Sequence, residues 1–249
     1  MRPRRLAVGR GNPAVGRACR DRGALRRSAA LAMAVAFALA GCGTNIHPGT
    51  AAVVNGHVIS QGEVDDLVLA ACEYSKAVRL EQGGAEPGQS MATLRSSLAE
   101  ALIQFELTDE AAAQLGLSVS DASIAELTAA NTMPPGLSEE SQGLLEGFFF
   151  DSSRARLQQA VVGAHLRDPT VVTAEDVTPE DIDAATKYLD EFATNQDVAV
   201  NPSYGSWDGS TLVHTSGSLS DAVSTTPPAA GLGAGPDPVK DLPPSQVCG

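Results

Sequence analysis

The first 41 residues have the layout of an export signal, which limits the residues that can take part in the fold. Nine arginines and a single acidic residue, Asp21, lie within the first 27 residues. A charge-free apolar run of 13 residues follows, from Ala29 to Gly41, and it is shorter than the ~18–20 residues that a helix needs to span a bilayer. A basic segment followed by a short apolar segment and small residues is typical of a cleavable secretory signal. We therefore expect residues 1–41 to be removed on export.

The apolar run ends in Leu39-Ala40-Gly41-Cys42, which resembles the lipobox of bacterial lipoproteins. The resemblance implies that Cys42 is diacylated through its sulfur and that cleavage takes place just before it. The mature chain would then be anchored by lipid at the cell membrane, on its extracytoplasmic face. Residues 42–50 are predicted to form a short flexible tether between the lipid and the folded part. The alternative is an ordinary secretory signal in which Cys42 occurs by chance.

The strongly acidic composition of the remaining chain limits its partners. Without residues 1–41, eight basic and 29 acidic side chains remain, a net charge near −21. Such a surface repels nucleic acid and anionic lipid headgroups. We therefore expect no nucleic-acid partner, and we expect the lipid on Cys42 to hold the protein at the membrane, for which two acyl chains suffice.

Two cysteines remain for the folded part of the chain, Cys72 and Cys248. Disulfides form and persist outside the cytoplasm, so these two are predicted to form a bond that ties the end of the chain to the first helix. The alternative is a pair of free thiols, with Cys72 a small residue of the core.

Helical periodicity and cap signals dominate residues 51–208, so the sequence predicts a mainly α fold. Ser60 and Glu63 have the spacing of a capping box, which predicts the start of the first helix, and Gly83 predicts its end. Four further helices are expected: over about 91–115, a short one after Asp121, over 138–167, and from Thr178 onward.

Short β-prone runs lie at both ends of the helical region. Residues 51–54 and 57–59 flank Asn55-Gly56, and this predicts a tight hairpin because Asn and Gly adopt positive φ at low cost. A third run lies at 198–200. The last part of the chain, 209–249, is rich in Ser, Thr, Gly, Ala and Pro, and we expect it to be extended or disordered.

The order of these motifs resembles the N-terminal chaperone module of SurA- and PrsA-type proteins, over residues 51–208. The resemblance implies a helical body in which the strand at 198–200 pairs with the strand at 51–54 and closes the module. The matching segments are the strand, turn and capped helix at 52–64, the helix joint at 115–121, the helix start at 178–182 and the returning segment at 201–208.

A prolyl-isomerase domain of the parvulin type often lies between the last helix and the returning strand in this family. Here only residues 193–197 separate the two, far fewer than the ~50 residues of the smallest domains. The isomerase is therefore expected to be absent, and the chain is predicted not to be an enzyme.

Catalytic and metal-binding motifs are also missing from the sequence. The histidines at positions 47, 57, 165 and 214 are scattered, and no zinc-protease, paired-cysteine or nucleophile-elbow motif is present. The acidic residues 175, 176, 180, 181 and 183 are best explained by the positive end of a helix dipole. We therefore expect no catalytic residue, metal, cofactor or small-molecule substrate.

Three consecutive aromatic residues, Phe148, Phe149 and Phe150, are the candidate contact for other polypeptides. Neighbouring residues on a helix point about 100° apart, so a single face cannot bury all three. The alternative is that several neighbouring helices bury them. With the family resemblance, this predicts a non-catalytic chaperone that holds unfolded or exported polypeptides. The alternative function is an envelope adaptor or structural lipoprotein that binds one folded partner.

Overall fold

Five helices, α1 to α5, make up most of the chain that the structure describes. The computed structural model describes residues 46–84, 88–173, 178–213, 239 and 242–248, so the predicted export signal and Cys42 lie outside the described residues. The predicted mainly α fold is confirmed. The helices are α1 Gln61–Glu81, α2 Met91–Gln114, α3 Asp121–Thr128, α4 Glu139–Arg167 and α5 Pro179–Ala193. None of these helices is both long and apolar enough to cross a membrane.

Each of the five helices begins after a serine or threonine whose hydroxyl accepts a hydrogen bond from a backbone N–H of the first turn. This satisfies one of the N–H groups that have no partner within the helix. At Ser60 only the serine half of the predicted capping box forms, with 3.0 Å between Oγ and the Glu63 nitrogen. The reciprocal box forms instead at the start of α5, between Thr178 and Asp181.

A small antiparallel sheet joins the two ends of the helical region. The described strands are β1 Thr50–Val54, β2 His57–Ser60, β3 Gln89–Ser90, β4 Val198–Val200, β5 Ser206–Trp207, β6 Leu212–Val213 and β7 Val247–Cys248. β1 lies between β2 and β4, with Val54 opposite Val198 and Ala52 opposite Val200. The predicted pairing of the early and late strands is therefore confirmed.

The core lies between this sheet and the helices. Its largest cluster includes the fully buried side chains of Val64 on α1 and Ile103 on α2, together with most of β1. A second cluster lies where α4 meets α5, around Val161 and Ala185. α4 packs against all four other helices and contributes side chains to both clusters.

Two parts of the segment that was predicted to be extended or disordered, 209–249, have defined structure. β6 forms a hairpin with β5, and Leu212 is buried in the main core. β7 pairs with β3, and Cys248 is buried beside α1. At both places the burial of one side chain offsets the conformational entropy that is lost when the segment becomes ordered. The overall composition of the segment did not indicate these buried positions. Residues 214–238, 240, 241 and 249 lie outside the described residues.

The turn at Asn55-Gly56 is tied to the segment that joins α5 to β4. Asn55 has a positive φ of 48°, and its backbone N–H donates to the Asp197 carbonyl at 2.8 Å. Its side-chain oxygen accepts from the Asp197 N–H at 2.9 Å. Its amide nitrogen donates to the carboxylate of Glu110 and, at 2.9 Å, to Gln196. One asparagine therefore links the hairpin, α2 and the connection between α5 and β4.

Replacing Asn55 by glycine or alanine should separate the contribution of its side-chain hydrogen bonds from that of its positive φ. Asn55→Gly keeps the positive φ and loses the side-chain hydrogen bonds, so we expect the free energy of unfolding to fall by about 1–3 kcal/mol. Asn55→Ala should cost about 1 kcal/mol more, because alanine also disfavours the left-handed backbone. Urea unfolding followed by circular dichroism measures both. Equal stability of the two variants and the parent chain would contradict the role given to Asn55.

Candidate functional site

A cleft of about 570 Å³ opens between α1, the first turn of α4 and the C-terminal strand β7. α1 contributes residues at positions 66, 69, 72, 73 and 76, a spacing that places them along one face of the helix. The apolar part of the lining consists of Leu69, Met91, Leu144 and Val247, together with Cys72. The remaining lining residues are polar or charged.

Leu69 is the most exposed apolar residue of the cleft, with 62 % of its surface accessible. The neighbouring Leu67 and Val68 are buried in the core, so α1 does not need Leu69 for its packing. An exposed leucine within an apolar cleft marks a surface that is stabilised when a partner covers it and removes the apolar side chain from water. Leu80 on the same helix is also exposed, at 71 %, but it does not line the cleft.

Carboxylates form most of the charged rim of the cleft. Asp66, Glu73 and Glu140 are exposed there, and Lys76 is the one basic residue among the described residues that line it. Glu73 accepts from the Ser138 hydroxyl at 2.8 Å and from its backbone N–H at 3.2 Å. Hydrogen bonds from Ser141 and Ser138 lower the pKa of Glu73 below its ordinary value. Glu73 therefore connects α1 to the N-terminus of α4 and keeps its negative charge.

The C-terminal strand forms one wall of the cleft and lies close to α1. The Sγ atoms of Cys72 and Cys248 are 1.99 Å apart, which is bonding distance, and their Cα atoms are 5.2 Å apart. Gln89 and Ser90 pair with this strand. At Gly88 an added Cβ would lie 2.7 Å from the carbonyl oxygen of Cys248, so the wall leaves no room for a side chain there.

The three consecutive phenylalanines face different neighbours and do not line the cleft. All three are partly buried. The Phe148 ring contacts Phe105, with 5.5 Å between centroids, and the Phe149 ring contacts Tyr74 at 5.8 Å. Phe150 instead lies under the guanidinium of Arg154, 5.2 Å from the ring centroid. Phe148 and Phe149 thus pack against core clusters, whereas Phe150 contacts the charged side chain of Arg154.

The described histidines lie apart, and two of them have identifiable partners. Nδ1 of His57 is 3.3 Å from a carboxylate oxygen of Glu106, and Nδ1 of His165 is 2.9 Å from the carbonyl of Val171. Burial raises the pKa of Glu106, and the proximity of His57 partly offsets this. His214 lies outside the described residues. In the part of the chain that the structure describes, no three His, Cys, Asp or Glu side chains are grouped closely enough to hold a metal.

Asp181 lies in the first turn of α5, where the helix dipole favours an acidic residue. Its carboxylate accepts from the hydroxyl and the backbone N–H of Thr178, at 2.7 and 2.9 Å, and it forms an ion pair of 2.6 Å with Arg167. The hydrogen bonds from Thr178 lower the pKa of Asp181. Residues 175 and 176 of the same acidic cluster lie outside the described residues. Asp181 thus belongs to the framework that joins α4 to α5.

Sequence reasoning did not identify the cleft, because its walls come from segments far apart in the chain. The only local signal is Leu69, an apolar residue beside the helical stripe of α1. Ser245 and Val247 line the cleft from a segment that the composition assigned to a disordered tail.

Comparison with known families gives a match over just over half of the chain. The sequence matches the family model described as the SurA-like N-terminal domain, over residues 20–155. The matched range takes in α1, α2, α3 and the first part of α4, which carry most of the residues that line the cleft. No curated protein and no solved structure matches the chain.

Proposed function

This chain belongs to the SurA-like N-terminal domain family, and on that basis we propose that it holds unfolded, exported polypeptides outside the cytoplasm without catalysing a reaction on them. The family supports a chaperone-like role in general. The observation that carries the more specific proposal is the cleft with Leu69 exposed in it. An unfolded segment could cover this leucine with an apolar side chain of its own.

The size of the cleft suits weak, exchangeable binding. Its volume of about 570 Å³ lies within the ~300–1,000 Å³ typical of ligand pockets. Burying one leucine-sized side chain contributes about 1.5–3 kcal/mol, and a few such contacts offset the cost of ordering the client. Micromolar affinity, roughly −8 kcal/mol, is the expected range. The three phenylalanines predicted as contacts lie outside the cleft: Phe148 and Phe149 contact Phe105 and Tyr74, and Phe150 is a second candidate contact.

The absence of isomerase activity is part of the proposal. Isomerising a prolyl bond means crossing a barrier of ~18–20 kcal/mol, and this requires a shaped pocket over the bond. In the structure, β4 follows α5 after residues 194–197, and Asn55 binds this short connection. This leaves the helical module as the unit that acts on polypeptides.

The lipid on Cys42 would hold the module close to the membrane. The last residues of the predicted tether are attached to the fold, because Thr50 begins β1 and the Gly49 carbonyl accepts from the Gln61 N–H at 2.8 Å. Cys42 precedes Ile46 by four residues, a span of at most about 14 Å. Intact-mass measurement of membrane-extracted protein should give a chain that begins at Cys42 with added acyl mass. An unacylated chain that begins elsewhere would disprove the anchor.

Aggregation of a denatured model protein tests the holding function. We expect the protein, purified as the cell processes it, to slow this aggregation and to leave the rate of peptide prolyl isomerisation unchanged. Leu69→Ser should raise the protein concentration needed for the same effect about tenfold or more, because one buried leucine contributes about 1.5–3 kcal/mol and about 1.4 kcal/mol is tenfold in affinity. Leu80→Ser is the matched control, a change of the same chemistry on the same helix outside the cleft, and it should have no effect.

The possible outcomes separate the alternatives. Measurable isomerase activity would refute the non-catalytic half of the proposal. Failure to slow aggregation, together with one stoichiometric partner recovered from solubilised membranes, would support the envelope-adaptor function instead. Equal loss in the Leu69 and Leu80 variants would remove the cleft from the proposal.

A further inference from the structure

The exposed leucine of the cleft is flanked by carboxylates along its own helix. Asp66 precedes Leu69 by three residues and Glu73 follows it by four, and residues at these spacings are neighbours on a helix surface. Glu140 approaches from the first turn of α4 on the other side of the cleft. Three carboxylates therefore line the cleft that an apolar side chain would enter to cover Leu69.

These carboxylates are available to a partner. Among the described residues, Asp66 and Glu140 have no ion-pair partner, whereas the adjacent Asp65 is bound to Arg95 at 2.8 Å. Glu73 accepts hydrogen bonds from Ser138 and Ser141 at the start of α4, and because these donors are uncharged, its negative charge is not cancelled. Lys76 is one turn beyond Glu73 and offsets only part of this charge.

We propose that the cleft selects apolar polypeptide segments that carry lysine or arginine next to the apolar residue. The inference rests on the proposed holding function and specifies the chemistry of its clients. The apolar side chain covers Leu69, Met91 and Leu144, and the flanking cations approach Asp66, Glu73 and Glu140. The net charge near −21 of the chain after Gly41 attracts basic chains from a distance, and the rim supplies the local preference.

Three labelled peptides test the preference on the protein purified as the cell processes it. All three share a Leu-Phe-Leu centre, flanked by two lysines, two serines or two glutamates. Fluorescence anisotropy should give the tightest binding for the lysine peptide and the weakest for the glutamate peptide. We expect about tenfold between these two at low salt, because each exposed pair contributes little alone. The ratio should shrink in 0.5 M salt, where the screening length is only a few ångströms.

Paired variants assign the preference to the rim. Asp66→Asn with Glu140→Gln should bring the ratio of the affinities for the lysine and glutamate peptides closer to one. Asp183→Asn with Asp190→Asn removes the same charge from exposed positions on α5, outside the cleft. This control should keep the advantage of the lysine peptide. Circular dichroism should give the same helical content for both variants.

The outcomes distinguish this inference from the function on which it rests. Equal binding of all three peptides would overturn the charge preference and leave the holding function standing. Equal loss in both paired variants would assign the preference to the overall charge and overturn the role of the rim. Failure of every peptide to bind, with no effect on aggregation, would overturn the proposed function itself.

Discussion

Gly163→Ala should lower the free energy of unfolding by about 3 kcal/mol or more, at the upper end of what overpacking costs. Gly163 is buried on α4, where the first turn of α5 packs against it. A Cβ at this position would lie 1.8 Å from the carbonyl oxygen of Asp181 and 2.5 Å from its carbonyl carbon. These are backbone atoms of a capped helix start, so they cannot move aside as a flexible side chain would. Urea unfolding followed by circular dichroism measures the loss.

Gly147→Ala is the matched control for this prediction. Gly147 lies on the same helix and is exposed, and an added Cβ would have no atom within 4 Å. Alanine should therefore stabilise the protein by about 0.5–1 kcal/mol, since glycine is the poorer helix former. If Gly163→Ala unfolds at the same urea concentration as the parent chain or higher, α5 does not pack against α4 as closely as the structure places it.

Removal of the predicted bond between Cys72 and Cys248 should have the second large effect. The two residues are separated by 176 positions in sequence, and closing so long a loop restricts the unfolded chain strongly. Cys248→Ser should lower the free energy of unfolding by about 2–4 kcal/mol. β7 should also become accessible to protease, because it is a two-residue strand held mainly by this bond and by Gln89 and Ser90.

The double variant provides the control for the disulfide. If the bond forms, Cys72→Ser with Cys248→Ser should cost little more than either single change, because the first substitution already removes the interaction. Thiol alkylation of the denatured, unreduced protein should label neither residue. Labelling of both would show two free thiols and rule out the bond.

The helices could be predicted from the sequence because their signals are local. Ser60, Ser120 and Thr178 each lie at the start of a helical pattern, and the hydroxyl of each binds a backbone N–H a few residues away. The hairpin was predictable for the same reason, since Asn55-Gly56 suits its positive φ values. The pairing of β1 with β4 has no local signal in the sequence, and it was predicted from the family resemblance.

The cleft and the close helix contact could not be predicted, because they depend on residues far apart in the chain. Nothing near Gly163 indicates that the backbone of Asp181 will lie against it. The strands β3 and β7 have two residues each, too few for a periodic pattern. The phenylalanine run is conspicuous in the sequence. Phe148 and Phe149 pack against Phe105 and Tyr74, and no sequence pattern indicates these contacts between distant residues.

Site-specific photocrosslinking tests most directly whether unfolded polypeptides occupy the cleft. A photoreactive phenylalanine analogue replaces Leu69 in the protein produced in living cells, and the same analogue replaces Leu80 as the control. We expect irradiation to give a ladder of crosslinked products of many masses from position 69 and little from position 80. A single product from position 69 would indicate one folded partner, and equal crosslinking from both positions would contradict polypeptide binding in the cleft.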